Sequence, residues 1–135
     1  MALYDVNLLG VFLAAIASII IGAFWYSPMG FGKAWMKLSG MTEKDMKKGK
    51  QKGMAKSYFI QFIGSLVIAY VLAIFVSSLS IQGAMQTGFW IWFGFIAATS
   101  LGVVLWEGKS WGLYLINAVY NLVSIEVMSL ILVSI

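Results

Sequence analysis

Residues 6–27, VNLLGVFLAAIASIIIGAFWYS, form an apolar stretch without a charged side chain. A helix needs roughly 20 predominantly apolar residues to cross the hydrocarbon core of a bilayer. The stretch is longer than the apolar region of a signal peptide, which has roughly 7–15 residues, and no basic residue precedes it. It therefore predicts a membrane-spanning helix that is retained rather than cleaved.

Three more apolar stretches follow, at residues 58–77, 84–106 and 111–133. Hydrophobic residues make up 61% of the 135-residue chain and charged residues only 10%, whereas a soluble domain carries about 25% charged residues. The one long polar stretch, residues 28–57, lies between the first two apolar stretches. We therefore predict a single all-α transmembrane domain over residues 1–135, an integral membrane four-helix bundle with one sizeable loop.

Small residues recur at every fourth position in three of the predicted spans. This spacing lets helices approach one another closely in a membrane. Three such stripes exceed what one four-helix bundle needs, so we also expect a homo-oligomer of unspecified order. The stripes consist of Gly10, Ala14, Ser18 and Gly22, then Ser65, Ala69, Ala73 and Ser77, then Gly94, Ala98 and Gly102.

The basic residues are all lysines and lie in two loops. Eight of them fall between Lys33 and Lys56, and the ninth is Lys109. Both loops lie on one side of a four-span protein, and the positive-inside rule assigns that side to the cytoplasm. We therefore predict a multi-pass protein of the bacterial cytoplasmic (inner) membrane with both termini outside.

The same lysines predict contact with anionic lipid headgroups, worth about 1 kcal/mol for each side chain near the surface. No nucleic-acid partner is predicted, because the basic stretch lacks the interleaved aromatic residues on which bases stack. The lysines assigned to lipid contact are Lys33, Lys37, Lys44, Lys47 and Lys48.

Apolar residues at helical spacing over 31–38 predict a short amphipathic helix at the start of the loop. It would lie in the headgroup plane, and the alternative is a helix packed beneath the bundle. Aromatic side chains near the ends of the spans are predicted to anchor the protein at the membrane interface. These anchors are Trp25, Tyr26, Phe31, Trp35, Trp106 and Trp111.

Residues 25–36, WYSPMGFGKAWM, resemble the signature of a family of small bacterial membrane proteins, domain-of-unknown-function family 1761. Residues 107–110, EGKS, followed by 115–120, LINAVY, are similar to the same family. The resemblance covers essentially the whole chain and implies a four-span membrane protein without an established activity. Two positions depart from the pattern. Val119 stands where we expect Gly, and Glu126 where we expect an aliphatic residue, so a role for Glu126 would not be shared across the family.

The chain contains no Cys, no His and no Arg. It therefore cannot form disulfides, thiolate or imidazole metal sites, or Ser–His catalytic pairs. Without Arg it also lacks the planar, bidentate donor that suits anionic cofactors. We predict no metal, no cofactor and no catalytic residue, and an enzyme, such as a glutathione-using membrane enzyme, is the least favoured function.

Glu126 is the candidate proton or cation site. It lies sixteen residues after Ser110, about 24 Å along a helix that rises ~1.5 Å per residue, and therefore in the outer half of the membrane. A charge at the centre of a span costs ~2.5–3.5 kcal/mol on insertion scales. The alternatives are a protonated or snorkelling carboxyl and a contact between protomers, because its helix face is aliphatic. Residues at matching depth that could donate to it are Asn7, Tyr70, Trp90 and Trp92.

Asn117, Asn121 and Ser124 share one narrow arc of the fourth predicted helix, with Tyr120 beside it. This arc points away from Glu126. It is the candidate polar cavity, in the inner half of the bundle and open toward the cytoplasm. The alternative is hydrogen bonding between helices, worth about 0.6 kcal/mol per contact in membranes.

The leading functional hypothesis is a non-enzymatic helical bundle that acts by self-association or by binding a partner. The alternative is a small oligomeric proton-coupled transporter or channel that uses Glu126. Small multidrug exporters have four short spans and a membrane-embedded acid, but they carry that acid in the first span, where this chain has none. The sequence does not identify a small-molecule substrate.

Overall fold

The computed structural model describes residues 6–40, 44–45 and 54–135. Four of its helical segments are long and apolar enough to cross a membrane. This confirms the predicted all-α, four-span fold. The segments, with the short loop helix α2, are α1 (Leu8–Trp25), α2 (Gly32–Ser39), α3 (Met54–Val76), a composite third span (Ile81–Leu105) and α6 (Trp111–Ser134).

Polar side chains cap three of the spanning helices. The Asn7 carboxamide oxygen accepts hydrogen bonds from the backbone N–H groups of Leu9 and Gly10 at the start of α1. Ser80 caps the third span and Ser110 caps α6, and each hydroxyl accepts from the N–H three residues later at 3.1 Å. Such caps satisfy helix-end donors that have no partner within the helix. The cap at Ser80 starts the third span at residue 81, whereas the apolar pattern placed its start at 84.

The fourth span, α6, lies at the centre of the bundle and contacts α1, α3 and the third span. Helix α1 packs between α3 and α6. Ala14 and Ser18 of the first small-residue stripe are buried here, as are Ala69 and Ala73 of the second. In a membrane, close van der Waals packing of this kind replaces the hydrophobic drive that joins helices in water. The apolar core belongs to the end of the bundle away from α2 and consists of Val11, Ala14, Ala69, Leu72, Ala73, Val76, Ala84, Ile125, Met128 and Leu132.

The third stripe makes no comparable contact inside this chain. A Cβ added at Gly94 would meet no atom within 4 Å among the described residues, and Ala98 is exposed. Within the described residues, Gly94 and Ala98 therefore do not make the close approach between helices that the spacing of this stripe predicts.

The third span is not one regular helix, which the apolar pattern did not predict. It runs through α4 (Ile81–Ile91), a π-helical segment (Trp92–Ala97), a 3₁₀ turn (Thr99–Leu101) and α5 (Gly102–Leu105). Two side chains tie the irregular part to α6. The Tyr114 hydroxyl donates to the Ala97 carbonyl at 2.6 Å, and the Trp92 indole N–H donates to the Ala118 carbonyl at 2.8 Å. Backbone groups in lipid must find internal partners, so a neighbouring donor such as Tyr114 stabilises the break.

Helix α2 lies against the beginning of α6. A Cβ added at Gly112 would lie 2.9 Å from Leu38 Cδ1, so the two helices touch there. Both lysine-bearing loops therefore lie at the same end of the bundle. Lys33, Lys37 and Lys44 are exposed, and Lys47 and Lys48 lie outside the described residues. The predicted anchors Trp106 and Trp111 flank the turn at this end, with 87% and 55% of their surface exposed.

Candidate functional site

The chain reverses direction tightly after α1, within residues 25–32. The Phe31 N–H donates to the Trp25 carbonyl at 2.6 Å, and the Gly32 N–H donates to the Ser27 carbonyl at 2.9 Å. A Cβ at Gly32 would collide with the backbone carbonyl oxygen of Tyr26, and one at Gly30 would lie 2.5 Å from that of Phe24. Only glycine fits these two positions, which explains the spacing of the two glycines in the sequence.

This turn directs two aromatic side chains toward α6. The Trp25 indole N–H donates to the Ile116 carbonyl at 3.0 Å, and the Tyr26 hydroxyl donates to Asn117 Oδ1 at 2.7 Å. From the α6 side, the Tyr120 hydroxyl donates to the Ser18 carbonyl of α1 at 3.0 Å. The two sequence blocks at 25–36 and 115–120 therefore meet in space.

Aromatic rings enclose this junction. Trp25 packs on Phe31 with ring centroids 4.7 Å apart, and Tyr26 packs edge-on against Tyr120 at 5.4 Å and Trp35 at 6.1 Å. Tyr26 lies just beyond α1. Burial raises the pKa of the Tyr26 phenol to about 12, and the neighbouring Tyr120 makes a smaller upward contribution. The phenol is therefore neutral at physiological pH and remains a hydrogen-bond donor to Asn117.

A cavity of about 510 Å³ opens between α1, α3 and α6 beside this junction. The α1 side of its wall consists of Ile19 and the small residues Gly22 and Ala23. A Cβ at Gly22 would lie 3.0 Å from the Tyr120 hydroxyl, so the glycine makes room for the tyrosine. The described polar side chains that line the cavity are phenols and carboxamides: Tyr26, Tyr58, Gln61, Asn117, Tyr120 and Asn121.

A second cavity, of about 450 Å³, lies under α2 and is lined in part by Gly32, Trp35 and Met36. Tyr26 and Asn117 line both cavities, so the hydrogen bond between them separates the two spaces. The amide–tyrosine cavity, as we name the first one, therefore has a polar partition at its end toward α2.

The family model described as "Protein of unknown function (DUF1761)" matches residues 9–133. The chain belongs to this family. No curated protein and no solved structure matches the chain. Both blocks that build the junction lie within the matched region, so the amide–tyrosine cavity belongs to the DUF1761 part of the molecule.

The structure of this DUF1761 protein brings three of the four predicted cavity residues together. Asn117, Tyr120 and Asn121 line the cavity. Ser124 does not, because it is buried one turn further along α6, where its hydroxyl lies 2.8 Å from the Ser18 hydroxyl and 3.6 Å from Met128 Sδ. The bond to Ser18 joins α6 to α1, which is the hydrogen bonding between helices considered as the alternative for this arc.

Sequence reasoning missed three side chains of the cavity: Tyr26, Tyr58 and Gln61. Tyr26 follows a Trp at the end of an apolar stretch, which is the usual pattern of an interface anchor. Gln61 interrupts the apolar run of α3. That interruption is a signal that could have placed α3 beside the polar arc of α6.

Glu126 of this DUF1761 protein lies on another face of α6, toward the third span. A Cβ at Gly88 would collide with Glu126 Oε1 and would lie 3.0 Å from Ser129 Oγ. Both oxygens are buried, and neither has a hydrogen-bond partner in the described part of the chain. Of the residues expected to donate to Glu126, Asn7 accepts bonds as the α1 cap, Trp92 donates to Ala118, and Trp90 is 64% exposed.

Proposed function

We propose that this protein is a non-enzymatic bundle that acts by binding, and that the amide–tyrosine cavity binds the uncharged polar group of a membrane amphiphile. One observation carries the proposal. Six polar side chains, all phenols or carboxamides, converge on one cavity. Five of them come from the two family blocks and from α3, and the sixth, Asn121, directly follows the second block. A volume of about 510 Å³ falls in the ~300–1,000 Å³ range of small-molecule sites.

The lining favours a ligand with hydroxyl or amide groups. Carboxamides such as those of Asn121 and Gln61 offer both donors and acceptors, and phenol hydroxyls can do either. Among the described residues that line the cavity there is no Asp, Glu or Lys to balance a charged ligand. Tyr58 and Gln61 are exposed on the α3 side, so the apolar part of an amphiphile could leave the cavity toward lipid.

The transport alternative fits this arrangement less well. It requires an aqueous cavity at Glu126, but the carboxyl faces Gly88 of the third span and the amide–tyrosine cavity lies elsewhere. The exposed Gly94 and Ala98 leave a surface free for the predicted self-association, which we retain as part of the proposal without assigning an interface.

The test of the binding proposal is a titration of the purified protein in nanodiscs with monooleoylglycerol, followed by tryptophan fluorescence. We expect saturable binding, because the cavity is one discrete site. Binding should change the tryptophan fluorescence, because Trp25 and Trp35 lie close to the cavity. Asn121→Leu removes one amide that makes no hydrogen bond within the described chain, so it should weaken binding about tenfold, close to one hydrogen bond. The matched control Gln86→Leu removes an exposed amide outside the cavity and should leave the affinity unchanged.

Oleate, with the same chain and a charged headgroup, is the ligand control. Equal affinity for oleate and monooleoylglycerol would contradict the proposed preference for a neutral group. An equal loss in Asn121→Leu and Gln86→Leu would show that binding is not in the cavity.

We further propose that the end with α2 faces the cytoplasm and contacts anionic headgroups of the bacterial inner membrane. The contact of Leu38 with Gly112 supports this orientation, because it brings both lysine-bearing loops to one end. The chain has no Cys, so single-cysteine variants report orientation directly. A membrane-impermeant maleimide should label Ser78→Cys and not Glu107→Cys in intact cells, and the reverse pattern would contradict the orientation.

A further inference from the structure

We propose that Glu126, Ser129 and Gly88 form a proton-binding site between α4 and α6, in which the protonated Glu126 carboxyl donates a hydrogen bond to the Ser129 hydroxyl. This site is separate from the amide–tyrosine cavity and does not depend on the function proposed for it.

Two buried side-chain oxygens without hydrogen-bond partners in the described part of the chain lie close to Gly88. Glu126 Oε1 and Ser129 Oγ are both buried and lack partners among the described residues. Ser129 has 0% of its surface exposed, so water in bulk cannot satisfy its hydroxyl. Both oxygens point at the space where Gly88 has no side chain. A buried polar atom without a partner is costly, and one shared proton would satisfy both atoms.

The surroundings of these two oxygens are largely apolar. A Cβ added at Gly88 would lie 3.4 Å from Ile125 Cγ2, and both Ile125 and Met128 belong to the apolar core. An ionised carboxylate in such surroundings is unfavourable unless a counter-charge accompanies it. Two side-chain oxygens are too few to replace the shell of several oxygens that metal cations take, whereas a proton needs only two. The site therefore suits a proton better than a metal ion.

Among the described residues, the helices that pack against the site carry no basic side chain at this end of the bundle. Tyr70 packs against the apolar core that contains Ile125. Neither α1 nor the third span carries Asp, Glu, Lys or Tyr. On α3 and α6 the titratable side chains other than Glu126 are Lys56, Tyr58 and Tyr70 of α3 and Tyr114 and Tyr120 of α6, and α2 adds Lys33 and Lys37 at the other end of the bundle.

The proton can reach the site from the surface of the bundle. Glu126 as a whole is only half-buried, although its Oε1 atom is enclosed. In the binding step, the carboxylate takes one proton from the surrounding water and becomes a neutral carboxyl. Its O–H then turns toward Ser129 Oγ.

The experiment is an infrared titration of the protonated-carboxyl band with the full chain reconstituted in bilayers. The proposal expects a band that titrates as a single proton and disappears in Glu126→Gln. Ser129→Ala removes the acceptor and should lower proton affinity about three- to tenfold, which moves the titration midpoint toward lower pH. A midpoint that rises in Ser129→Ala would overturn the proposal, because Ser129 would then be stabilising the carboxylate.

Two controls keep the test decisive. Replacing sodium chloride with N-methylglucamine chloride should not change the midpoint, and a midpoint that moves up when sodium is removed would identify a cation site instead. Gly88→Ala places a methyl group where Oε1 lies and should alter the band even if Glu126→Gln fails to fold. The absence of a protonated-carboxyl band at every pH from about 5 to 9, where ordinary carboxyls are ionised, would overturn the proposal.

Discussion

The polar side chains in the two halves of α6 differ in whether they have hydrogen-bond partners. Toward α2, the hydroxyls of Tyr114 and Tyr120 and the carboxamide of Asn117 make hydrogen bonds to neighbouring elements. Toward the other end, Glu126 Oε1 and Ser129 Oγ lie buried without partners in the described chain. Polar groups of the first kind hold helices together, while groups of the second kind are available to bind something else. Residue type alone does not separate the two kinds, because the buried Ser124 bonds to Ser18 whereas the buried Ser129 has no partner in the described chain.

The difference also appears in the elements around α6. The half near α2 is built on a turn that only glycine can form, and aromatic rings close it from the outside. The other half is an apolar core of alanines and larger aliphatic residues with a single acid inserted beside it. The first half therefore depends on backbone geometry, and the second depends on side-chain packing and on the charge state of Glu126.

The largest effect is expected from breaking the turn with Gly32→Ala. The added Cβ would collide with the Tyr26 carbonyl, and relief requires the backbone itself to move. We expect a loss of about 3 kcal/mol or more in the free energy of unfolding, at or beyond the upper end for overpacking. Thermal unfolding in detergent measures it, together with loss of monooleoylglycerol binding, since Tyr26 would no longer be held against Asn117.

Gly94→Ala is the matched control for this substitution. Its Cβ would meet no atom within 4 Å among the described residues, so the methyl group fits without movement. Its unfolding temperature should equal or slightly exceed that of the parent protein. Equal losses in both variants would mean that the turn does not specify the half of the bundle near α2.

Much of the fold could be predicted from the sequence, because a helix that crosses lipid requires a continuous apolar run and leaves a plain signal. The arc of Asn117 and Asn121 could also be predicted, since residues four apart lie on the same face of a helix. The π-helical segment could not be predicted, because it depends on hydrogen bonds with α6. The Tyr114 hydroxyl of α6 donates to the Ala97 carbonyl, and the indole N–H of Trp92, the first residue of the segment, donates to the Ala118 carbonyl of α6.

The residues around Glu126 could not be predicted from the sequence either, for a related reason. Its depth follows from the rise of one helix, but its neighbour depends on which helices pack together and on their rotation. Gly88 lies 38 positions earlier in the chain, in a span whose start the apolar pattern placed three residues late. The missing Cβ that admits the carboxyl is visible only once α4 and α6 are placed side by side.

The smallest effect, and the sharpest comparison of a bonded with an unbonded polar group, comes from two buried serines of α6. Ser124, with 4% of its surface exposed, bonds to Ser18, whereas Ser129, with 0% exposed, has no partner in the described chain. Ser124→Ala should cost about 0.6 kcal/mol of unfolding free energy at every pH, the average for such bonds in membranes.

Ser129→Ala should instead leave the unfolding free energy unchanged above the titration midpoint of Glu126. Below that midpoint it should lower the unfolding free energy by about 0.6 kcal/mol. The sign follows from proton linkage. If Ser129 accepts a hydrogen bond from the protonated carboxyl, its removal weakens proton binding to the folded state, so stability is lost only where the proton is bound. Unfolding of both variants across the pH range in one detergent measures the difference. A pH-independent loss for Ser129→Ala would mean that its hydroxyl, like that of Ser124, only joins helices.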